Sequence, residues 1–216
     1  MESVTNCTYF GNSVIAQAVD EKGVKRQVYC SDVRAGIVFP TGKNPGYYCL
    51  FGQEHETVPT GKHVLLFMGE GEDIMHESLF SKLTDDCAKY KCKTVYAHLP
   101  RTDRRGGVGG YDDLWRYLRN RRLSINSIPA PAAEDVEYGR ALLREFLKDK
   151  AVDIPAHRPT ILKQHLGQMT GDTKEEDVYA HTAMRYLLTG FVKYNQPIPF
   201  EAKPQKSPKA NPRGWT

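Results

Sequence analysis

The sequence lacks the features that mark membrane-spanning and secreted proteins. No run of about 18 apolar residues occurs in its 216 residues, so no transmembrane helix is expected. The residues that follow Met1 contain no basic segment followed by an apolar one, which is the pattern of a secretory signal. We therefore expect a cytoplasmic protein with no membrane partner.

Metal-binding and nucleotide-binding patterns are also missing. The five cysteines are odd in number, none forms the CxxC pair of a zinc site, and the seven histidines show no HExxH spacing. The glycine-rich stretch 106–110 lacks the GxxxxGKS/T spacing of a phosphate-binding loop, so no ATPase is expected in this chain. We predict reduced, buried thiols and no resident metal or other cofactor.

The sequence does contain basic charge in two clusters. The net charge is only +4, and a content of 40% hydrophobic and 26% charged residues is ordinary for one globular domain. Between residues 101 and 122, however, seven arginines stand against three aspartates, and the tail after Phe191 is also basic. Such clusters suit a nucleic acid, because each neutralised phosphate releases condensed counterions. A surface that arginine merely keeps soluble is the alternative.

Hydrophobic periodicity predicts an α/β protein with a β-rich start. Extended segments bounded by turn residues are predicted at Val14–Val19, Arg26–Cys30, Ala35–Phe39, Tyr47–Phe51, His63–Met68, Lys93–Ala97 and Leu123–Ile128. Helical spacing predicts helices at Asp73–Tyr90, Tyr111–Arg122, Glu134–Lys148, Thr160–Met169 and Asp177–Val192. We predict an N-terminal β-hairpin extension over residues 1–30, a main domain over residues 31–192 and a basic, proline-rich tail over residues 193–216.

The order of these elements is similar to that of the ribonuclease H-like fold. Antiparallel strands come first, and helices and strands then alternate. The predicted architecture is a mixed sheet, with three antiparallel strands followed by parallel strands, flanked by helices. Since a fold alone does not set a function, the residues at the expected site decide it.

Several segments resemble landmarks of the nuclease domain at the C-terminal end of phage terminase large subunits, the DNA-packaging motors. Gly36–Gly42 followed by Tyr47–Gly52 keeps the proline, the turn glycine and the spacing that end the family's first strand and precede its second. Thr94–His98 is similar to the fourth strand, and Asp177–Tyr186 keeps the Ala-x-Arg-Tyr end of the last helix. The resemblance covers residues 10–192 and implies a ribonuclease H-like domain of a DNA-packaging system.

The resemblance breaks at the positions that hold the family's catalytic acids. Phe39 stands where the first strand carries an aspartate, His98 where the fourth strand carries an acid, and Thr182 where the last helix carries an aspartate. The family uses these acids to hold two divalent metal ions about 4 Å apart, and such ions prefer carboxylate oxygens. The sequence therefore predicts an inactive relative of the nuclease, with no confident catalytic residue and no metal.

An active two-metal endonuclease is the alternative, and it needs acids from elsewhere in the chain. The fallback ligands are Asp32, which precedes the core strand, and Asp177, at the start of the last helix; Mg²⁺ or Mn²⁺ would then be the cofactor. Glu70, Glu72 and Asp73 follow the third strand. They are predicted to lie at the wrong end of the sheet for a shared site, in a solvated turn and helix cap.

Basic residues near the expected site predict DNA binding. The edge after the fourth strand of a ribonuclease H-like domain faces the nucleic-acid backbone, and loss of the carboxylates would make its field positive. The predicted DNA-binding residues are Lys43, Arg101, Arg104, Arg105, Arg116 and Arg119. The predicted partners are double-stranded DNA and, for a phage-encoded chain in the host cytoplasm, the terminase ATPase, the portal or the small subunit. A protein-interaction module that binds no nucleic acid is the third possibility.

Some aromatic and histidine residues have a simpler expected role. Tyr47 and Tyr48, on the second core strand, are predicted to pack within the sheet. His165 and His181, on two predicted helices, show no paired spacing and are predicted to be surface or capping residues. None of these four residues is therefore placed in the predicted site.

Overall fold

The computed structural model describes residues 7–10, 13–19, 25–41, 44–54, 65–98, 117–121, 123–128, 133–149, 151–154, 160–169 and 178–194. The strands are β1 (Cys7–Phe10), β2 (Ser13–Val19), β3 (Lys25–Val38), β4 (Gly46–Glu54), β5 (Leu65–Asp73), β6 (Thr94–His98), β7 (Ser124–Ile128) and β8 (Val152–Asp153). The helices are α1 (His76–Lys89), α2 (Ala133–Lys148), α3 (Ile161–Gln168) and α4 (Tyr179–Tyr194), and residues 117–120 are also helical. None of the described helices is long and apolar enough to cross a membrane.

The described strands form one mixed sheet. Its central part has the order β5-β4-β3-β6-β7, in which β4 is antiparallel to both neighbours while β3, β6 and β7 run parallel. Numbered by their order along the chain, these five strands stand in the sequence 3-2-1-4-5 with the second reversed. This is the arrangement of a ribonuclease H-like fold, so the predicted fold is confirmed.

Strand β3 is longer than the sequence pattern predicts. Two strands separated by a polar stretch were expected, but one strand of 14 residues runs through both, with a β-bulge between Ser31 and Arg34. Asp32 sits in the bulge with φ 53°, a left-handed conformation that aspartate tolerates better than most residues. The bulge absorbs the polar residues without ending the strand. β3 consequently continues across the boundary predicted after residue 30.

Helices cover both faces of the central sheet. On one face, α1 buries a stripe in which Leu79, Leu83 and Cys87 recur every four residues, as the sequence predicts. On the other face, α2, α3 and α4 pack around a second core that includes Tyr47, whereas its neighbour Tyr48 points to the α1 side. Both tyrosines are buried, so their predicted packing role is confirmed. The side chains of Cys30, Cys49, Cys87 and Cys92 are buried thiols, as predicted.

Helix α4 crosses the centre of the sheet in close contact with β3. At Gly36, a Cβ atom would collide with the backbone carbonyl oxygen of Ala183 on α4 and would also touch Leu187. Glycine is therefore required at this point of β3 because it lets two backbones approach. The close approach places the first residues of α4 beside the carboxyl end of β3.

Candidate functional site

The three residues predicted to stand at the acid positions of the terminase family lie around one edge of the sheet. Ile37 of β3 pairs in parallel with Ala97 of β6, so Phe39 and His98 follow at the same end of adjacent strands. Thr182, in the first turn of α4, lines the same pocket as Phe39. Residues that are far apart in the sequence therefore meet at this place, which we call the carboxyl edge.

The pocket at the carboxyl edge has a volume of about 150 Å³ and almost wholly apolar walls. Its lining residues come from the end of β3, the turn into β4 and the start of α4: Val38, Phe39, Thr41, Asn44, Pro45, Tyr179 and Thr182. Two backbone hydrogen bonds, of 3.0 and 3.1 Å, join Thr41 and Asn44 across the turn. The sequence motifs did not reveal Tyr179, although its spacing of three residues from Thr182 puts both on one helix face.

Each family acid position has an environment that suits the residue it carries. The Phe39 ring packs edge-on against Phe80 of α1, with ring centroids 6.1 Å apart. The His98 ring lies 6.4 Å from the ring of Tyr186 on α4. Thr182 is buried, and its hydroxyl has no hydrogen-bond partner among the described residues. These contacts are those of a packed, largely apolar edge.

A pair of divalent metal ions does not fit these three residues. An aromatic ring offers no ligand, an imidazole is a poor ligand for Mg²⁺, and a buried neutral hydroxyl is a weaker ligand than a carboxylate. Within the described ranges, no cluster of three or more His, Cys, Asp or Glu side chains could hold a metal ion. No chemical step through a metal is therefore derived from this edge.

The acids of β5 lie at the carboxyl edge, which corrects the prediction that they are at the wrong end. The register pairs Val38 of β3 with Tyr47 of β4, and Tyr47 in turn with Glu72 of β5. Two successive antiparallel steps return β5 to the direction of β3, so both strands end at the same edge. The strand itself also runs to Asp73, beyond its predicted end at Met68.

All three β5 acids are hydrogen-bonded within the fold. Glu70 accepts hydrogen bonds from the Tyr47 hydroxyl, at 2.7 Å, and from the N–H groups of Ile161 and Leu162 at the start of α3. Glu72 accepts from the Tyr179 hydroxyl at 3.0 Å, and burial together with this bond raises the pKa of Tyr179 to about 12.

Asp73 is the last residue of β5 and not the predicted N-cap of α1, which is Met75, but its carboxylate lies at the start of that helix. Its carboxylate accepts hydrogen bonds from the backbone N–H of Met75 and from the side chains of Ser78 and Lys82. The bond from Lys82 and the other donors lower the pKa of Asp73 well below its ordinary range. The carboxylate therefore stays ionised and bound to the first turn of the helix.

Replacing Glu70 by alanine is expected to lower the free energy of unfolding by about 3 kcal/mol, because two helix N–H groups and the buried Tyr47 hydroxyl lose a charged acceptor. Glu70→Gln keeps an acceptor oxygen without the charge and should cost only about 1 kcal/mol. Urea unfolding followed by circular dichroism measures both variants. Equal losses would show that the negative charge of Glu70 does not stabilise the N-terminus of α3.

The fallback ligand Asp32 does not join the carboxyl edge. It lies in the β3 bulge, before Arg34, which pairs with Thr94 at the beginning of β6 and thus at the opposite edge. Its carboxylate accepts two hydrogen bonds, of 2.6 and 3.1 Å, from the guanidinium of Arg34. Arg34 also donates to the hydroxyl of the buried Tyr96, at 2.7 Å. Asp32 is therefore part of a structural network.

Most of the predicted DNA-binding residues lie outside the described residues, as does the fallback ligand Asp177. Those residues are Lys43, Arg101, Arg104, Arg105 and Arg116. Arg119 is described and exposed, on the helical turn that comes just before β7. It therefore lies near the amino end of β7, at the edge of the sheet opposite to His98.

His165 and His181 are buried, which corrects the prediction of a surface position, whereas His165 does cap the first turn of α4. His165 accepts a hydrogen bond from the backbone N–H of Ala180 through Nδ1, at 3.3 Å. His181 is 0% exposed, and neither ring nitrogen has a partner among the described residues. Burial, together with the positive charges of Arg185, Arg140 and Arg144, lowers the pKa of His181 to about 4.

The fold and the edge define a class: a ribonuclease H-like α/β domain with an apolar pocket at the carboxyl edge. No family model and no curated protein matches the chain. Among solved structures it is similar to the large terminase nuclease from thermophilic phage G20c with bound magnesium, at 12% identity and a TM-score of 0.48 over 85% of this chain and 91% of that one.

A second group of similar solved structures comes from a virus. The fowlpox virus Holliday junction resolvase matches at 9% identity and a TM-score of 0.41, over 74% of this chain and 98% of that one. The same resolvase in complex with substrate Holliday junction DNA matches at 10% identity and a TM-score of 0.40, over 75% and 99%. These likenesses concern the fold.

Proposed function

We propose that this chain is a DNA-binding domain, similar to the terminase nuclease domain of a phage packaging system, that holds DNA without cutting it. The observation that carries the proposal is the pocket shared by Phe39 and Thr182, with His98 on the next strand. The three residues predicted at the family's acid positions meet there, and all three carry side chains unsuited to Mg²⁺. On this proposal, the edge still binds a nucleic acid but no longer holds the ligands for cleavage.

Basic residues that come after β6 in the sequence support DNA as the partner, and they would offset the acids of β5 that lie at the carboxyl edge. The arginines at 101, 104 and 105 follow the last residue of β6 in the sequence, and that residue, His98, lies at the carboxyl edge. Because Phe39 and Thr182 are uncharged, no carboxylate at these positions opposes a phosphate. Double-stranded DNA is the proposed partner, and other packaging proteins are the proposed context.

The position of the β5 acids favours a second candidate, an active metal-dependent endonuclease. Glu72 is exposed and lies at the carboxyl edge in register with Tyr47, so its carboxylate could bind a divalent ion beside a phosphate. Its hydrogen bond from Tyr179 and the engagement of Glu70 by α3 weigh against a role as metal ligands. Cleavage that Glu72→Ala abolishes would support this candidate.

Supercoiled plasmid should stay intact with millimolar Mg²⁺ or Mn²⁺ and should be retarded on a native gel at low salt. The reason is that phosphate contacts remain while metal ligands are absent from the family positions. We expect the affinity to fall by roughly tenfold or more between about 50 and 200 mM salt, as counterion release requires. Nicking that EDTA stops would overturn the proposal in favour of the nuclease.

A matched pair of triple variants locates the DNA contact. Replacing the three arginines 101, 104 and 105 by alanine should weaken DNA binding and flatten its salt dependence. The control replaces Lys89, Lys91 and Lys93, which lie between the end of α1 and the start of β6 at the opposite edge. Both variants lose the same charge, so equal weakening would contradict binding at the carboxyl edge. A protein that binds no DNA in any form would be an interaction module.

A further inference from the structure

We propose that the pocket at the carboxyl edge holds one unpaired pyrimidine base of a bound DNA strand. The inference rests on the proposed DNA-binding function and adds the chemical group that the pocket recognises. It explains why the edge carries a formed cavity at the very positions where the related nucleases carry acids. A position that had merely lost its ligands would be expected to collapse into solid packing.

The size of the pocket suits a single six-membered ring. Its volume is about 150 Å³. Apolar cavities of about this volume bind benzene in other proteins. A pyrimidine has the same ring size, whereas the fused rings of a purine need more room. The volume therefore predicts a preference for thymine or cytosine over adenine or guanine.

The walls of the pocket match the chemistry of a base. Tyr179 supplies aromatic surface, and Val38 and Pro45 supply aliphatic surface, for the faces of the ring. Asn44 can both donate and accept hydrogen bonds at the polar rim of a pyrimidine. Apolar walls with a few polar groups are typical of pockets that bind small planar ligands.

The hydroxyl of Thr182 points to a missing partner. It is buried and makes no hydrogen bond to any described residue, a state that proteins usually avoid. Thr182 already lines the pocket, and rotation about its χ1 exchanges the methyl group with the hydroxyl. The hydroxyl can then donate to a carbonyl oxygen of a bound pyrimidine.

Two exposed apolar side chains precede α1, at the carboxyl edge. Ile74 is 77% exposed and Met75 is 61% exposed, and both come just before His76, whose ring lies 6.5 Å from that of Phe39. DNA-binding proteins insert side chains of this kind between neighbouring bases. Ile74 and Met75 would occupy the gap that a displaced base leaves in the stack.

Duplexes that differ at one position test the proposal. The position carries an unpaired thymine, an unpaired adenine or an abasic residue, and a fully paired duplex serves as reference. We expect the 216-residue chain to bind the thymine bulge about tenfold more tightly than the abasic duplex, as one base stack predicts. The adenine bulge should bind like the abasic duplex. Equal affinity for all four duplexes overturns the pocket proposal and leaves DNA binding intact.

Variants assign the preference to the pocket. Asn44→Trp fills the mouth and should abolish the thymine preference, and Thr182→Val, which is isosteric, should reduce it by about fivefold through loss of one hydrogen bond. The control is Asn120→Trp, an identical change at an exposed residue outside the pocket, which should keep the wild-type preference. A preference that survives Asn44→Trp contradicts the proposal. Absence of binding to any duplex overturns the proposed function itself.

Discussion

Replacement of Gly36 by alanine is expected to destabilise the protein by at least about 3 kcal/mol, a large part of the stability of an ordinary domain. The added methyl group would collide with the backbone carbonyl of Ala183, which cannot turn aside as a flexible side chain can. Relief requires α4 to move away from β3, and this would open the core that both share. Thermal and urea unfolding of the purified variant measure the loss.

Gly167→Ala is the matched control for this prediction. Gly167 lies in α3, and a Cβ atom there would meet nothing within 4 Å. The same chemical change should therefore stabilise the protein, by up to about 1 kcal/mol, because alanine favours the helix. Similar stability changes in the two variants would contradict the close contact between β3 and α4.

Acidification from pH 7 to pH 4 is expected to remove about 3 kcal/mol of stability through His181. The folded protein keeps this side chain neutral, because burial and three nearby arginines lower its pKa from 6.5 to about 4. Between pH 6.5 and about pH 4, the unfolded chain binds a proton at His181 and the folded protein does not. The stabilisation is therefore complete above pH 6.5 and declines as the pH falls toward 4.

The variant His181→Leu isolates this contribution from the other groups that titrate in the same range. Arg185 of α4, Arg140 and Arg144 of α2, and His165 of α3 all face His181, and the pKa of His165 is lowered as well by burial. The leucine variant should lose less stability than the wild type over the same pH interval. The urea concentration at half unfolding is measured for both proteins as a function of pH. If it changed by the same amount in both between pH 7 and pH 4, His181 would not titrate as described.

The fold could be predicted because its signals are local. The four-residue spacing in α1 and the apolar runs of β4, β5 and β6 identify elements without knowledge of their neighbours. Strand direction can be predicted from the connections between strands. The edge at which β5 ends was predicted wrongly, because β3 to β4 and β4 to β5 are two successive antiparallel steps and they return β5 to the direction of β3. The β3 bulge could not be predicted, because its polar residues look like a break between two strands.

The burial of His181 could not be predicted, and the reason is physical. Between Val178 and Gly190 nearly every residue of α4 and its start is buried, because the helix lies against the sheet and is covered by α2 and α3. Such a helix has no polar face, so hydrophobic periodicity gives no indication of which residues are inside. The pocket escaped detection for a related reason, since Tyr179 and Asn44 meet only in the folded protein.

The passage of α4 over β3 has a consequence for synthesis on the ribosome. Gly36 emerges early, whereas the helix that covers it lies near the end of the described chain. Until α4 has been translated, the apolar side chains of β3 and β4 on that face, including Phe51, lack the helix that lies directly against them. Nascent chains in this state are prone to aggregate and are typical clients of chaperones. Truncation before residue 178 should therefore yield a chaperone-bound or insoluble product, even though every strand of the sheet is present.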